Sequence, residues 1–287
     1  MPAAICATLP ENLDADTRKA LIAKGIAPMQ GIHECLNAIS QAAHWSAARE
    51  RILAGRPEPL RQAQPLGATE IITEADGKAW LASAGISVPK GIVATGKGAA
   101  DAATGLGFPV ALKMLSPKIA HKTEFGAVAL GLADAASVVA AVDQMRRKVS
   151  SHDEKALTDT FLVECMSPMP IAELIVGIRR DPQFGHALTL GSGGILVELV
   201  GDSKTLLLPC SAGEIEAALQ ALRIGALMRG FRGNATANVP ALAKTLEQLC
   251  TAVLNAADEI HDIEINPLFV GTDDAVAVDV LMHKASK

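Results

Sequence analysis

The sequence is poor in aromatic residues: Phe, Trp and Tyr make up only 3% of its 287 residues, and Tyr is absent. Stacked aromatic rings are a common platform for single-stranded nucleic acids, so binding of that kind is not expected. A net charge of -5 also argues against attachment to nucleic acid through general basic character. We therefore expect no nucleic-acid partner.

The cysteines form no CxxC pair, and apolar runs long enough for a membrane are missing. The five cysteines are widely spaced: Cys6, Cys35, Cys165, Cys210 and Cys250. They predict neither a disulfide framework nor a zinc site. No apolar run approaches the ~18 residues that span a bilayer, and the N-terminus lacks the order of a signal peptide. These absences predict a soluble, cytoplasmic protein.

What the sequence does contain is apolar residues, 49% in total, which suffice for a substantial core. The chain opens with a strand at 3–9, a helix at 14–24, a strand at 26–30 and a helix at 32–45. This β-α-β-α order is typical of a parallel sheet covered by helices. Two strands are too few to complete such a sheet, so residues 1–64 are interpreted as part of an α/β domain whose beginning is missing or supplied by another chain. The proline-rich stretch 55–65 indicates a linker.

A second unit is expected from residue 65 to residue 287. Thr73 is a suitable N-cap for a helix that runs through Ala84. Further helices are predicted at 99–106, 135–148, 212–221 and 240–257, and strands at 91–94, 110–114, 127–132, 161–164, 172–178, 187–190, 262–267 and 275–280.

Lys113 is the first candidate functional residue, because it ends the apolar strand that begins at Pro109. Burying its stem is unfavourable unless an anion meets the ammonium group. The following loop carries Lys118, His121 and Lys122. A loop with these basic side chains is suited to binding phosphate. A solvated basic turn is the alternative, since phosphate cradles normally contain more glycine.

Oxygen-bearing side chains alternate with apolar ones near the C-terminus. Asp262, Glu264 and Asn266 fall on one face of a predicted strand, and Asp279 lies in a second alternating strand. If these strands pair, Asn266 and Asp279 could ligate Mg²⁺, which keeps phosphate and water among its ligands. A polar stripe facing solvent is the alternative.

For two further segments the sequence allows either a ligand-binding role or a structural role. The glycine-rich stretch 191–194 could bring backbone amides close to a ligand, or it could form a tight turn. Arg179 and Arg180 could aim a guanidinium group at phosphate, or Arg180 could brace a turn with Asp181.

Five motifs, in order, closely resemble the ATP-grasp unit of NDP-forming acyl-CoA synthetases, which are relatives of succinyl-CoA synthetase. They lie at 107–113 (GFPVALK), 116–128, 173–185 (ELIVGIRRDPQFG), 191–198 and 264–267 (EINP). The resemblance covers roughly residues 66–287, and residues 1–64 resemble, more distantly, the end of the flavodoxin-like ligase domain in fused members. It implies an α/β protein: an ATP-grasp fold of two α+β lobes, about 85–165 and 166–287, preceded by a partial flavodoxin-like parallel α/β segment.

The resemblance also implies a reaction, in which a small carboxylic acid, CoA and ATP are interconverted with acyl-CoA, ADP and phosphate. The family uses an acyl phosphate and phosphorylated histidines. His121 matches the histidine that exchanges the phosphoryl group with the nucleotide, and CoA would be bound mainly by a portion absent from this sequence. A neutral imidazole is an available nucleophile near neutral pH, which agrees with this role.

The same resemblance assigns the other site residues. Lys113 would contact nucleotide phosphates, with Gly126 in the adjoining loop; Glu164 and Met166 would hold adenine through their backbones; Glu173 would bind ribose; and Asn266 with Asp279 would bind Mg²⁺. The loop has Gly126-Ala127 where many members have two glycines. This departure implies a tighter loop or fewer contacts with phosphate.

A CoA-binding ligase subunit, or an N-terminal part of the same chain, is the implied partner, and an oligomer is expected. Two other functions stay open. A non-catalytic module of a fused protein acetyltransferase would bind nucleotide or acyl-CoA without turnover. A carboxylate–amine ligase of the wider ATP-grasp group would not need His121.

Overall fold

The computed structural model describes residues 3–55, 67–119, 122–193, 201–233 and 235–286. The strands are β1 (Ala3–Ala7), β2 (Ile26–Gln30), β3 (Thr69–Ile71), β4 (Gly91–Thr95), β5 (Val110–Met114), β6 (Val128–Leu132), β7 (Thr160–Cys165), β8 (Ala172–Asp181), β9 (Gly185–Ser192), β10 (Ser203–Leu207), β11 (Ile260–Val270), β12 (Ala275–Ala277) and β13 (Val280–Ala285). The helices are α1 (Ala15–Ala23), α2 (Ile32–Gly55), α3 (Glu74–Ser83), α4 (Ala99–Leu106), α5 (Ala135–His152), α6 (Ala212–Ala221), α7 (Gly225–Met228) and α8 (Val239–Asn255). Among the helices in these ranges, none is long and apolar enough to cross a bilayer.

The chain divides into two units, Met1–Pro59 and Leu60–Lys287. In the first unit β1 and β2 pair in parallel, as the β-α-β-α order predicts. Helix α1 begins after Asp14, whose side chain accepts the N–H groups of Asp16 and Thr17. Helix α2 continues to Gly55, past its predicted end at residue 45, because helix-favouring Ala, Arg, Glu and Leu dominate its last turns.

The second unit contains two antiparallel sheets. The larger has seven strands, in the order β10-β9-β8-β11-β13-β3, with β12 also paired to β11. The smaller has four strands, in the order β4-β7-β5-β6. Strands β3 and β10 were not predicted, nor was β13 beyond its first residue. Strand β3 joins the sheet by pairing with β13, which lies at the C-terminal end of the unit. The domain and lobe boundaries given above stay predictions.

Each sheet has a helical layer and a core of its own. One face of the large sheet packs with α6 and α8 through buried residues such as Ile263, Ile265 and Leu246. The small sheet packs with α4 and α5 around Phe161 and Val142. Because side chains alternate along a strand, Asp262, Glu264 and Asn266 of β11 lie on the opposite, open face of the large sheet.

Helix α3 lies close against β13. Thr73 caps it as predicted, since its hydroxyl accepts the N–H of Asp76 at 3.2 Å. A Cβ atom at Gly77 would lie 3.0 Å from the Val280 side chain, so glycine permits this close approach. Glu74 and Lys78, one helical turn apart, are buried by the packing.

Candidate functional site

A cavity of about 310 Å³ lies between the open face of the large sheet and the loop that follows β5. Its lining consists of Lys122, Thr123, Glu124, Glu264, Asn266, Asp279, Val280 and Leu281. A second cavity of about 250 Å³ shares Glu264 and continues along the same face to Asp262 and Arg179. The loop predicted to bind phosphate and the strands predicted to bind a metal therefore face one another.

Asn266 and Asp279 are neighbours on this face. The backbone N–H of Asn266 donates to the C=O of Asp279 at 3.2 Å. Asp279 lies between β12 and β13, so the continuous strand predicted at 275–280 is wrong. Burial raises the pKa of the Asp279 carboxyl, with the charge of Glu74 acting in the same direction and the nearby lysines opposing both.

No group of three or more His, Cys, Asp or Glu side chains in the described part of the chain is arranged to hold a metal ion. A Mg²⁺ site that uses two protein oxygens and is completed by phosphate and water does not require such a group. The oxygens of Asn266 and Asp279 are of the hard type that Mg²⁺ prefers, so the donor set fits this cation.

Lys113 lies at the centre of an ion cluster, which consists of Glu74, Lys78, Lys113, Lys122, Glu164 and Asp279 and is buried except at Asp279. Its ammonium nitrogen is 2.5 Å from Glu74 Oε1 and 3.2 Å from Glu164 Oε2, and it donates to the C=O of Val278 at 2.8 Å. Only 3% of the Lys113 side chain is exposed. The anion that a buried lysine requires is thus supplied in part by the protein itself.

The other two lysines complete the ion cluster. Lys78 Nζ lies 2.8 Å from Glu74 Oε1 and 2.5 Å from Glu164 Oε1. Lys122 Nζ lies 3.4 Å from Asp279 Oδ1, and 3.0 Å from Glu74 Oε2 in an ion pair that lacks hydrogen-bond geometry. Three carboxylates balance three ammonium groups, so the cluster is neutral before any phosphate or cation arrives.

The electrostatics keep the centre of the cluster charged. Burial alone raises the pKa of the Glu74 carboxyl, but the charges of Lys113 and its neighbours outweigh burial and lower it from 4.5 to about 2. This contribution to stability is therefore present above pH 4.5 and is lost as the pH falls towards 2. Burial lowers the pKa of Lys113, yet the carboxylates of Glu74, Asp279 and Glu164 more than reverse this and raise it. Burial lowers the pKa of Lys78, and its ion pairs with Glu74 and Glu164 do not fully offset this.

Glu164 and Met166 lie at the end of β7, between β4 and β5. The Glu164 side chain is 2% exposed and points into the ion cluster, while its backbone lies opposite Gly91 and Ala111. The N–H of Met166 donates to the C=O of Pro109 at 3.4 Å. An adenine held by Met166 would have to compete with this long bond, and the backbone role of the two residues stays a prediction.

Glu173 and Gly126 lie outside the ion cluster. Glu173 is opposite Phe269 in the large sheet, and its C=O accepts the N–H of Gly193 at 2.6 Å. Gly126 adopts a φ of 64°, and a Cβ atom there would lie 2.6 Å from Lys148 Cδ. Glycine at 126 thus allows the loop to turn back tightly into β6.

Residues 66–283 match the sequence profile of the ATP-grasp domain family. The chain belongs to this family. The motif resemblance and the ATP-grasp fold are thereby confirmed.

Comparison with individual proteins shows which members of the ATP-grasp family this chain resembles. The β subunit of acetate–CoA ligase (ADP-forming) I from Pyrococcus furiosus is 31% identical over 212 residues, which cover 74% of this chain and 90% of the relative. An acetyl-coenzyme A synthetase 1 from Ca. Korarchaeum cryptofilum, in complex with coenzyme A and Ca-AMPCP, has a TM-score of 0.70 at 28% identity, over 74% of this chain and 93% of that one. Another structure of that synthetase, with coenzyme A and Mg-AMPPCP, has its phosphohistidine segment pointing towards the nucleotide site; it has a TM-score of 0.63 at 27% identity, covering 74% of this chain and 92% of that one.

Other relatives are longer. Acetate–CoA ligase (ADP-forming) I from Archaeoglobus fulgidus is 31% identical over 212 residues, or 74% of this chain, and the ATP-grasp chain spans only 30% of its length. The chain therefore corresponds to the ATP-grasp, β-subunit-like part of such ADP-forming ligases.

Glu74 and Lys78 were not identified from the sequence as members of the ion cluster. The available signal was the Glu-to-Lys spacing of four residues directly after the predicted N-cap. Such a pair normally lies on the solvent face of a helix, whereas here both residues are 4% exposed. Burial of this pair depends on long-range packing and is not visible in the local sequence.

His121 lies outside the described residues, as does the part of the glycine-rich motif from Gly194 to Glu198. Lys122, the next residue after His121, is described and lines the cavity of about 310 Å³. The catalytic role of His121 thus stays a prediction.

Gly193→Ala should destabilise the ATP-grasp unit by about 1–3 kcal/mol, a typical cost of forcing an extra methyl into packed structure. The added Cβ would lie 2.7 Å from the backbone C and O atoms of Glu173, so β8 and β9 would have to separate. Thermal unfolding measures the loss. Gly191→Ala is the matched control, because its Cβ would have its nearest neighbour at an ordinary 3.5 Å. Equal melting temperatures for the two variants would show that the close approach at Gly193 is unimportant.

Proposed function

We propose that this chain is the ATP-grasp portion of an ADP-forming acyl-CoA synthetase, which binds Mg–ATP or Mg–ADP in the larger cavity. The proposed overall reaction is acid + CoA + ATP = acyl-CoA + ADP + phosphate. The observation that carries the proposal is the ion cluster that joins Lys113 to Lys122 and Asp279. Lys122 and Asp279 line the cavity, and Lys113 lies buried directly behind them. The ligase names of the relatives described above agree with it.

The cluster and the cavity wall offer what a magnesium nucleotide needs. Lys113 and Lys122 supply positive charge for phosphate oxygens, and phosphoryl transfer depends chiefly on positioning and on neutralising the charge of those oxygens. Asn266 and Asp279 would hold Mg²⁺, whose chemistry is to neutralise and orient phosphates. Glu173 is proposed to bind ribose, Glu164 and Met166 to hold adenine, and Gly126 to adjoin the phosphates.

His121 is proposed as the phosphoryl acceptor. A ring nitrogen of its neutral imidazole forms a bond to the γ-phosphorus of ATP, and the bond from that phosphorus to the β,γ-bridging oxygen breaks, releasing ADP. Lys122 supports this role, because it directly follows His121 and is held by Glu74 and Asp279 at the cavity. The phosphoryl group would then pass to the acyl and CoA site of a partner.

The first unit supports the need for such a partner. Parallel sheets are normally covered on both faces, yet among the described side chains of residues 3–55 only Leu13 and Cys35 are buried and apolar. Many large apolar side chains there are exposed: Ile5, Leu9, Ile22, Ile32, Leu36, Ile39, Trp45, Ile52 and Leu53. We propose that they pack against a CoA-binding ligase subunit, or against an N-terminal part of the same chain.

The proposal is tested by incubating the protein with γ-labelled ATP, with Mg²⁺ or with EDTA. We expect a protein-bound label that is acid-labile, alkali-stable and dependent on Mg²⁺. When the CoA-binding subunit, CoA and a small carboxylic acid are added, the label should be lost and acyl-CoA should form. Chromatography of the acyl-CoA over a panel of acids then identifies the substrate.

Two outcomes would point elsewhere. Nucleotide binding without any phosphoenzyme, even with the CoA-binding subunit present, would indicate a sensing module. Consumption of ATP that depends on an amine instead of CoA would indicate a carboxylate–amine ligase.

A further inference from the structure

Glu74 is the member of the ion cluster that contacts all three lysines. It is the first residue of α3, and its side chain is fully buried. Oε1 lies 2.5 Å from Lys113 Nζ and 2.8 Å from Lys78 Nζ, while Oε2 lies 3.0 Å from Lys122 Nζ. None of the ligand roles assigned above includes it.

Burying a carboxylate so completely is costly unless its partners compensate. The two oxygens of Glu74 are divided between the two lysines that are proposed to meet phosphate. Asp279 also contacts both, at 4.0 Å from Lys113 Nζ and 3.4 Å from Lys122 Nζ. It is the proposed metal ligand, however, and a divalent cation bound to its carboxylate would weaken the attraction of that carboxylate for both lysines. Once Asp279 ligates a cation, Glu74 is the carboxylate that still holds both ammonium groups.

We propose that Glu74 is a positioning residue of the nucleotide site, which holds Lys113 and Lys122 towards the nucleotide phosphates and leaves Asp279 free for the metal. This inference rests on the proposed function, because it assumes that Lys113 contacts phosphate. Among the described residues, the ion-pair partners of the Glu74 carboxylate are all lysines, and Glu74 acts through them. Lys78 pairs with both Glu74 and Glu164 and so helps to hold these two carboxylates in place.

A double-mutant cycle tests this role through the Kd of Mg–ADP, measured by titration calorimetry. We expect Glu74→Gln and Lys113→Met each to weaken binding by about 10- to 100-fold, the scale of one lost charged hydrogen bond. In the double variant the loss should be much smaller than the product of the two, since residues that act through one another are not additive. Glu74→Asp, which keeps the charge, should recover part of the affinity. Glu70→Gln, the same change at an exposed position of β3, should have no effect.

The outcomes separate this inference from the proposed function. If Lys113→Met binds Mg–ADP as the wild type does, the proposed function fails. If Lys113→Met is weakened but Glu74→Gln is not, or if the two losses multiply independently, only the positioning role is overturned. Should Glu74→Gln not fold, Glu74→Asp decides the question: weaker binding at an unchanged melting temperature supports the role, and an unchanged Kd overturns it.

Discussion

Lys113→Met should weaken the binding of Mg–ATP by about 100-fold, equivalent to about 3 kcal/mol, as expected when one partner of a buried charge interaction is removed. The change removes a proposed phosphate contact. It also leaves the ion cluster with three carboxylates and two ammonium groups, so a net negative charge would face the incoming phosphates. Titration calorimetry measures the effect directly.

Methionine is chosen for Lys113→Met because it preserves most of the buried stem, and circular dichroism checks that the fold survives. Lys204→Met is the matched control: Lys204 lies in β10 at the edge of the large sheet and is exposed. It should bind Mg–ATP as the wild type does. Binding within about twofold of wild type in Lys113→Met would remove Lys113 from the nucleotide site and with it the main support for the proposed function.

Local sequence signals predicted most of the fold, and the errors occur where long-range pairing decides the structure. Periodic helices such as α4 and α6 were predicted with their observed limits, because their apolar spacing and terminal residues agree. Strand β3 has only three residues and forms by pairing with β13. No local pattern distinguishes such a short strand from a loop.

The interruption at Asp279 has a similar origin. The alternation from 275 to 280 predicts one strand, yet the backbone leaves the ladder at Val278, whose C=O accepts the Lys113 ammonium from the other sheet. The ion cluster as a whole is a product of the same tertiary packing. Charged residues at helix starts, such as Glu74, are ordinarily explained by the helix dipole, and only contact between α3 and the two sheets turns Glu74 into a buried partner of three lysines.

The candidate site was thus predicted in part. The alternation that places Asp262, Glu264 and Asn266 on one face is observed in β11, because strand alternation is a local property. Asp279, by contrast, lies between two strands and not in the predicted one. For Glu164 the resemblance implied a backbone role, whereas the structure shows, in addition, a side chain that pairs with Lys78 and Lys113. Which residues such a side chain contacts depends on how α3 and the two sheets pack together. A single sequence does not reveal that packing.

His121→Ala should abolish the phosphoenzyme while leaving the binding of Mg–ATP within about threefold of wild type. The imidazole would be the only bond-forming group removed, whereas the lysines and metal ligands that hold the nucleotide would stay in place. The measurement is the acid-labile, alkali-stable label retained after incubation with γ-labelled ATP and Mg²⁺. Nucleotide affinity is measured in parallel, so that lost chemistry is not confused with lost binding.

His44→Ala provides the matched control, since His44 is an exposed residue of α2 in the first unit. It should carry the same label as the wild type. With the CoA-binding subunit added, His121→Ala should also fail to form acyl-CoA, because in the proposed reaction the phosphoryl group has no other route from nucleotide to acid. An unchanged label in His121→Ala would instead place the phosphoryl acceptor on a different residue. Loss of label together with loss of Mg–ATP binding would mean that His121 helps to hold the nucleotide.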